Sequence, residues 1–183
     1  MHKLLLLASI ILASVSLSVI PTDAGTIVPM AIGYKHLTKE AKRQASCLAE
    51  NIYFEAGHES NEGKLAVAMV TLNRVASPNF PDTICEVVHQ KINGTCQFSW
   101  LCDQSFLVRR SSAVKTQLYH DIREIAIFAM MNYETIDDMT KGAMYYHATY
   151  VNPAWKLNVT ARIGNHIFYK RAKDLEWKKE YKV

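Results

Sequence analysis

The sequence lacks several patterns that would have assigned it to other classes of protein. Among its 183 residues there is no CxxC, HxxxH or HExxH motif, so the spacing gives a zinc site little support. No apolar stretch after the first twenty or so residues is long and uncharged enough to span a bilayer. Internal repeats and low-complexity tracts are missing as well. What is present is 49% hydrophobic and 21% charged residues, an ordinary composition for one globular domain.

The N-terminal segment differs from the rest of the chain. "MHK" is followed by the apolar run 4–20 and then by "PTDAGT", which is the layout of a secretory signal cleaved after Ala24. An uncleaved anchor is the alternative, because the run is close to the shortest length that spans a bilayer. We therefore expect a signal peptide at 1–24. The mature protein is then exported to the periplasm, the cell envelope or the outside, with no stable membrane insertion. Export argues against nucleic acid as a partner, despite the net charge of +4 and a basic tail at 171–183.

The four cysteines are an even count in an oxidising compartment and indicate two disulfides. They are Cys47, Cys85, Cys96 and Cys102. Three pairings are possible. We favour Cys47–Cys85 and Cys96–Cys102, because the second pair closes the short loop "CQFSWLC" beside an aromatic residue. A metal cluster or a nucleophilic cysteine has weaker support.

Hydrophobic periodicity predicts an α+β fold, mostly α, with a small β element near the C-terminus. After an irregular lead-in at 25–37, the main domain covers 38–170. Thr38 is expected to cap a first helix that ends near Ala56, and Ser60 or Asn61 to start a second helix that is apolar nearly all round. We further expect a short helix capped by Asp82, a loop over 91–103 and a long helix over 112–133. "MYYHATYV" and "RIGNHIFYKR" are expected to form short strands.

Glu55 is the residue whose surroundings are hardest to explain by structure alone. It lies among Tyr53, Phe54 and Ala56 at the end of an apolar helix, just before Gly57. We expect its carboxyl to open into a cleft, where desolvation would raise its pKa. A carboxylic acid with a raised pKa can donate a proton near neutral pH. A solvated surface glutamate is the competing interpretation.

Five blocks follow one another along the chain: "NIYFEAGHESNEGKLAVAMVTLNRV", "NFPDTICEVVHQ", "CQFSW" with "CD", "GAMYYHATYVNPAW" and "IGNHIFY". In this order they resemble the SleB-type cell wall hydrolases, the family of the spore cortex-lytic enzymes. The resemblance implies a lysozyme-like, transglycosylase-type domain over 38–170 that cleaves peptidoglycan glycan strands, and we expect a monomer. The family's catalytic glutamate falls on Glu55. Where the family has alanine, arginine, glycine and glutamate next, this chain has Ala56, Gly57, His58 and Glu59, so its cleft mouth is expected to differ in charge and shape.

A lytic transglycosylase scheme needs only one acid. Glu55 would protonate the bond oxygen and then, as a carboxylate, take the proton of the substrate's own C6 hydroxyl, giving a 1,6-anhydromuramic product without a metal or other cofactor. The alternative is a muramidase-type hydrolase in which Glu59 or Asp103 positions water, since glycosidases usually use two carboxylates. A third possibility is an exported wall-binding protein without activity.

Six polar and aromatic residues are the predicted substrate contacts, because sugars are bound by polar rims and aromatic faces. They are Gln97, Ser99, Trp100, Tyr145, Tyr146 and His147. Each of them also has a structural interpretation as a core aromatic or a hydrogen-bonded loop residue. Asn73, an amide within the buried helix, is expected to have a structural role or to support the residues that contact substrate.

Overall fold

The computed structural model describes residues 33–172. The expected signal peptide at 1–24, the lead-in up to residue 32 and the tail beyond residue 172 lie outside this range. The helices are α1 (Lys39–Ala56), α2 (Asn61–Val75), α3 (Ile84–His89), α4 (Phe106–Ala113) and α5 (Gln117–Asn132). The strands are β1 (Lys91–Ile92), β2 (Thr95–Cys96), β3 (Tyr145–Ala148), β4 (Asn158–Ile163) and β5 (His166–Lys170). This architecture confirms the predicted mostly helical α+β class.

The first helix begins and ends at the residues the sequence indicates. The Thr38 hydroxyl accepts a hydrogen bond from the backbone N–H of Ala41, which satisfies one of the free donors of the first turn. The helix stops at Gly57, where an added Cβ would lie 2.5 Å from the carbonyl oxygen of Tyr53. Glu55 is therefore held in the last turn of α1.

The second helix, α2, is the centre of the core. Ser60 caps it through the backbone N–H of Gly63, and every residue from Gly63 to Val75 is buried. A helix that is apolar on nearly all sides has to be surrounded. Helices α1, α3 and α5 pack against it, and strand β4 also contacts it.

Three details of the predicted secondary structure are wrong. Thr83, not Asp82, caps α3, because its hydroxyl accepts the N–H of Glu86. The expected helix over 112–133 begins later, at Gln117, because the Thr116 hydroxyl caps the start of α5, and the residues before it end a separate helix, α4, that was not predicted. The expected loop over 91–103 contains the β1–β2 hairpin, whose turn at Asn93 and Gly94 has positive φ at both positions.

The three C-terminal strands form one antiparallel sheet in the order β3-β5-β4. Side chains alternate between the two faces of a strand. Tyr146 accordingly contacts the rings of His166 and Phe168, on the side of the core. Tyr145 and His147 lie on the opposite face, where both contact Trp155.

Both disulfides have the favoured pairing. Cys47–Cys85 joins α1 to α3, and Cys96–Cys102 closes the loop that holds Trp100. Across residues 33–172 the structure has no helix with the length and apolar character needed to cross a membrane.

Candidate active site

Glu55 opens into a cleft of about 620 Å³ between the end of α1 and helix α4. The α1 side consists of the last turn and the residues that follow it, and the opposite side consists of α4 and the residue that caps the start of α5. The lining residues are Tyr53, Phe54, Glu55, Ala56, Gly57, His58, Glu59, Val108, Arg109, Ser112, Ala113 and Thr116.

Burial raises the pKa of the Glu55 carboxyl above its usual value. Two smaller effects act in the opposite direction on this pKa: the hydrogen bond from Tyr146 and the positive charge of Arg74. Desolvation disfavours the charged form of a carboxyl, whereas a donor and a nearby cation favour it. The group therefore keeps a proton to higher pH than an exposed glutamate, while its carboxylate form still has two stabilising partners.

Tyr146 is the direct partner of Glu55. Its hydroxyl donates a hydrogen bond to Oε2 of Glu55 at 3.1 Å, across 91 positions of sequence. Burial, together with the Glu55 charge, raises the pKa of Tyr146 well above that of a free tyrosine. The phenol therefore remains protonated and acts as a donor at any ordinary pH.

Arg74 places a positive charge beneath this pair. Its side chain is 6% exposed, and its Nε donates to the carbonyl oxygen of Met144 at 2.7 Å. The guanidinium lies within 5.8 Å of the ring centroids of Phe80, Phe98 and Tyr145. Its Nη1 atom has no hydrogen-bond partner among residues 33–172. Burial lowers the pKa of Arg74, but an arginine stays charged in a protein, so the charge acts on Glu55 and Tyr146.

An amide and an indole support the last turns of α1 from behind. Trp100 Nε1 donates to Asn51 Oδ1 at 3.2 Å, and Asn51 Nδ2 donates to Thr71 Oγ1 at 3.1 Å. The Trp100 ring stacks on Phe54 with centroids 4.8 Å apart. Phe54 in turn lines the cleft. Trp100 is only 5% exposed, so it fixes the residue beside Glu55 rather than presenting a face to solvent.

The structure brings some of the predicted substrate contacts to Glu55 and leaves others apart. None of the six lines the cleft, although Tyr146 bonds Glu55 and Trp100 supports Phe54. Tyr145 and His147 lie on the opposite face of β3 from Tyr146, and His147 stacks on Tyr169. Gln97 and Ser99 are in the disulfide loop, half-buried and exposed respectively. Contact between substrate and any of the six residues stays a prediction.

The two candidate second carboxylates are already engaged by protein groups. Glu59 accepts from the backbone N–H of Asn165 at 3.1 Å and from its side-chain amide at 2.9 Å. Asp103 accepts from both the N–H and the hydroxyl of Ser105 and from Arg109. These bonds lower the pKa of both carboxyls, Glu59 chiefly through the Asn165 side chain and Asp103 chiefly through the Ser105 hydroxyl.

Sequence reasoning missed Arg74, Asn51 and the α4 wall. The first two had a visible signal, since a charged residue and an amide each occupy a helix position that faces the core. The α4 wall had a weaker signal in the sequence, which is the apolar and basic run "FLVRR". Asn73 has the structural role expected of it, because its side chain bonds Asp138 and Tyr133.

Residues 33–172 contain no cluster of three or more His, Cys, Asp or Glu side chains placed to hold a metal ion.

Comparisons with known proteins identify relatives of this chain. A family profile described as cell wall hydrolase matches residues 58–169, so the match begins just after Glu55. The spore cortex-lytic enzyme of Bacillus subtilis is 31% identical over 66% of this chain and 35% of the relative. That of Bacillus cereus is 30% identical over 82% of this chain and 50% of the relative. The chain thus spans about a third to a half of the length of these relatives.

Two solved structures have a similar fold. The catalytic domain of the Bacillus cereus SleB protein aligns with a TM-score of 0.50 and 24% identity, over 70% of this chain and 91% of that one. The catalytic domain of a germination-specific lytic transglycosylase SleB from Bacillus anthracis also gives 0.50 and 24%, over 70% and 95%. At this identity the likeness concerns the fold alone.

Proposed function

Because the chain belongs to the cell wall hydrolase family, we propose that it cleaves the glycan strands of peptidoglycan with Glu55 as the catalytic acid and base. One observation carries the assignment of Glu55. Its carboxyl is desolvated enough to have a raised pKa and yet borders an open cleft. A buried acid without access to substrate could not react, and an exposed one would be ionised at neutral pH.

The first half of the reaction uses the protonated form. Glu55 donates its proton to the glycosidic oxygen, the bond from that oxygen to the muramic C1 breaks, and positive charge develops at C1. Glu55 is left as a carboxylate in a partly desolvated site. The Tyr146 hydroxyl and the Arg74 charge stabilise that carboxylate, as a preorganised donor and cation do where charge develops.

The second half uses the carboxylate. The muramic C6 hydroxyl oxygen bonds to C1, and its proton passes to Glu55, which restores the acid. The products are a shortened strand and a 1,6-anhydromuramic end, without a metal or cofactor. We favour this transglycosylase scheme over hydrolysis because Glu59 and Asp103 are held by other protein groups and their lowered pKa values make them weaker bases toward water.

The test compares three proteins on purified, dye-labelled peptidoglycan sacculi. Glu55→Gln preserves size and polarity but removes the proton, whereas Glu62→Gln changes an exposed glutamate at the start of α2 and is the matched control. Wild type and Glu62→Gln should release soluble fragments, and Glu55→Gln should lose about a hundredfold to ten-thousandfold in rate, since its general acid is gone. Equal release by Glu55→Gln would refute the role of Glu55. Sedimentation on sacculi without any release by folded wild type would favour the wall-binding alternative.

A further inference from the structure

Helix α4 presents large apolar side chains to solvent beside the cleft. Leu107 is 73% exposed and Val108 is 71% exposed, although they are neighbours on a helix of eight residues. Single exposed apolar residues are common, but adjacent ones at the edge of a cleft indicate a contact surface. Val108 belongs to the cleft lining, so this surface is continuous with the space that Glu55 faces.

The next residue, Arg109, is an exposed cation held in one position. Its Nη2 donates to Oδ2 of Asp103 at 2.9 Å, and its guanidinium lies 5.5 Å from the ring centroid of Phe54. Asp103 is itself fixed, because its Oδ1 accepts from the N–H and the hydroxyl of Ser105. The rim of the cleft therefore carries the Arg109 guanidinium in a fixed position, and its bond to Asp103 uses only one of its five N–H donors.

Taken with the proposed function, on which the inference rests, these features define a subsite. We propose that Val108 and Arg109, with Leu107 beside them, bind the peptide stem that the muramic residue carries on its lactyl group. Such a stem carries small aliphatic side chains and free carboxylates among its groups. The aliphatic groups match the exposed Leu107 and Val108, and a carboxylate matches Arg109. A strand with its muramic residue at Glu55 has to place the attached stem beside a wall of the cleft.

The subsite discriminates between two substrates that share the same scissile bond. One is glycan strands with stems intact, and the other is the same strands after an amidase has removed the stems. In Arg109→Gln, the ratio of kcat/KM for stem-bearing to stem-free strands should fall roughly fivefold to tenfold, mainly through KM, which corresponds to one hydrogen bond of ordinary strength at an exposed site. Val108→Ser should lower the same ratio by roughly twofold to fivefold, because it removes apolar contact area.

The matched control is Arg43→Gln. Arg43 is also exposed and also bonds an exposed carboxylate, that of Glu40, but it is near the start of α1, about 18 Å along the helix from Glu55. It should keep the wild-type ratio. A wild-type ratio in both Arg109→Gln and Val108→Ser, or an equal fall in Arg43→Gln, would overturn the proposal.

A failure of stem binding can be distinguished from a failure of glycan cleavage. If wild type cuts neither preparation, the proposed function fails, and co-sedimentation with the two preparations then measures the stem preference directly. A preference for stem-bearing strands that weakens with salt and is lost in Arg109→Gln supports the subsite. Equal sedimentation with both preparations overturns it.

Discussion

The ion pair between Glu50 and Arg110 should be what fixes helix α4 against α1. Both Nε and Nη2 of Arg110 contact Oε1 of Glu50, at 2.8 and 2.7 Å. The Glu50 side chain is only 6% exposed, whereas that of Arg110 is 48% exposed. Replacing Arg110 by methionine keeps the length of the side chain but leaves a buried carboxylate without its cation.

The loss of stability in Arg110→Met depends on how deeply each partner of the ion pair is buried. Removing one partner of a fully buried pair costs about 3–5 kcal/mol, and exposed pairs contribute about 0–1 kcal/mol. Since one partner here is buried and the other half-exposed, we expect Arg110→Met to lower the free energy of unfolding by about 2 kcal/mol. That corresponds to a fall in Tm of roughly 4–8 °C for a chain of this size. The double variant Glu50→Gln/Arg110→Met should recover much of the loss, because no unpaired charge stays buried.

The assay is urea unfolding under non-reducing conditions, with Arg43→Met as control. The Arg43 pair with Glu40 is exposed on both sides, so its loss should leave the free energy of unfolding nearly unchanged. Since α4 is one wall of the cleft, Arg110→Met should also raise KM more than it lowers kcat. If Arg110→Met is as stable as Arg43→Met, the ion pair between Glu50 and Arg110 does not fix α4 against α1.

Three further predictions concern other parts of the molecule. The raised pKa of Glu55 means that the folded state holds this proton more tightly than the unfolded chain, so stability is lost as pH rises above about 4.3. Glu55→Gln should then be more stable than wild type at neutral pH and lose that advantage near pH 4, by thermal unfolding across pH. Gly164→Ala should cost about 1–3 kcal/mol in urea unfolding, because the position has φ +54° and its new methyl group would meet the carboxylate of Glu59. Replacing the Cys47–Cys85 disulfide by serines opens a loop with a sequence separation of 38 and should cost about 4 kcal/mol, against about 2 kcal/mol for the shorter loop. A similar cost for the two disulfides would contradict the loop-entropy argument.

The features of the fold that depend on residues close in sequence were predictable from the sequence. Thr38 and Ser60 cap helices through their own first turns, so a hydroxyl before an apolar pattern is enough to place both starts. The break between α4 and α5 depends on the same chemistry at Thr116, but an apolar pattern continuous across it concealed the cap. The Asn-Gly pair at 93–94 is a strong hairpin signal that the surrounding polar loop obscured.

The site was predictable only where its chemistry is local. Glu55 stands out because aromatic and small residues adjoin it and a glycine follows. Its partner Tyr146 is 91 positions away, and only the alternation of β3 decides that Tyr146, rather than Tyr145 or His147, faces Glu55. The charge of Arg74 could be expected to need a partner, but which group it acts on follows from tertiary packing alone.

Mass spectrometry of the fragments released from purified peptidoglycan by the disulfide-intact protein and by Glu55→Gln tests whether Glu55 acts as both acid and base in cleaving glycan strands. Wild type should release fragments with 1,6-anhydromuramic ends, each lighter by one water than a reducing end, and Glu55→Gln should release none. Reducing-end fragments from the wild type would contradict the single-acid scheme, and the same anhydro fragments from Glu55→Gln would contradict the role of Glu55.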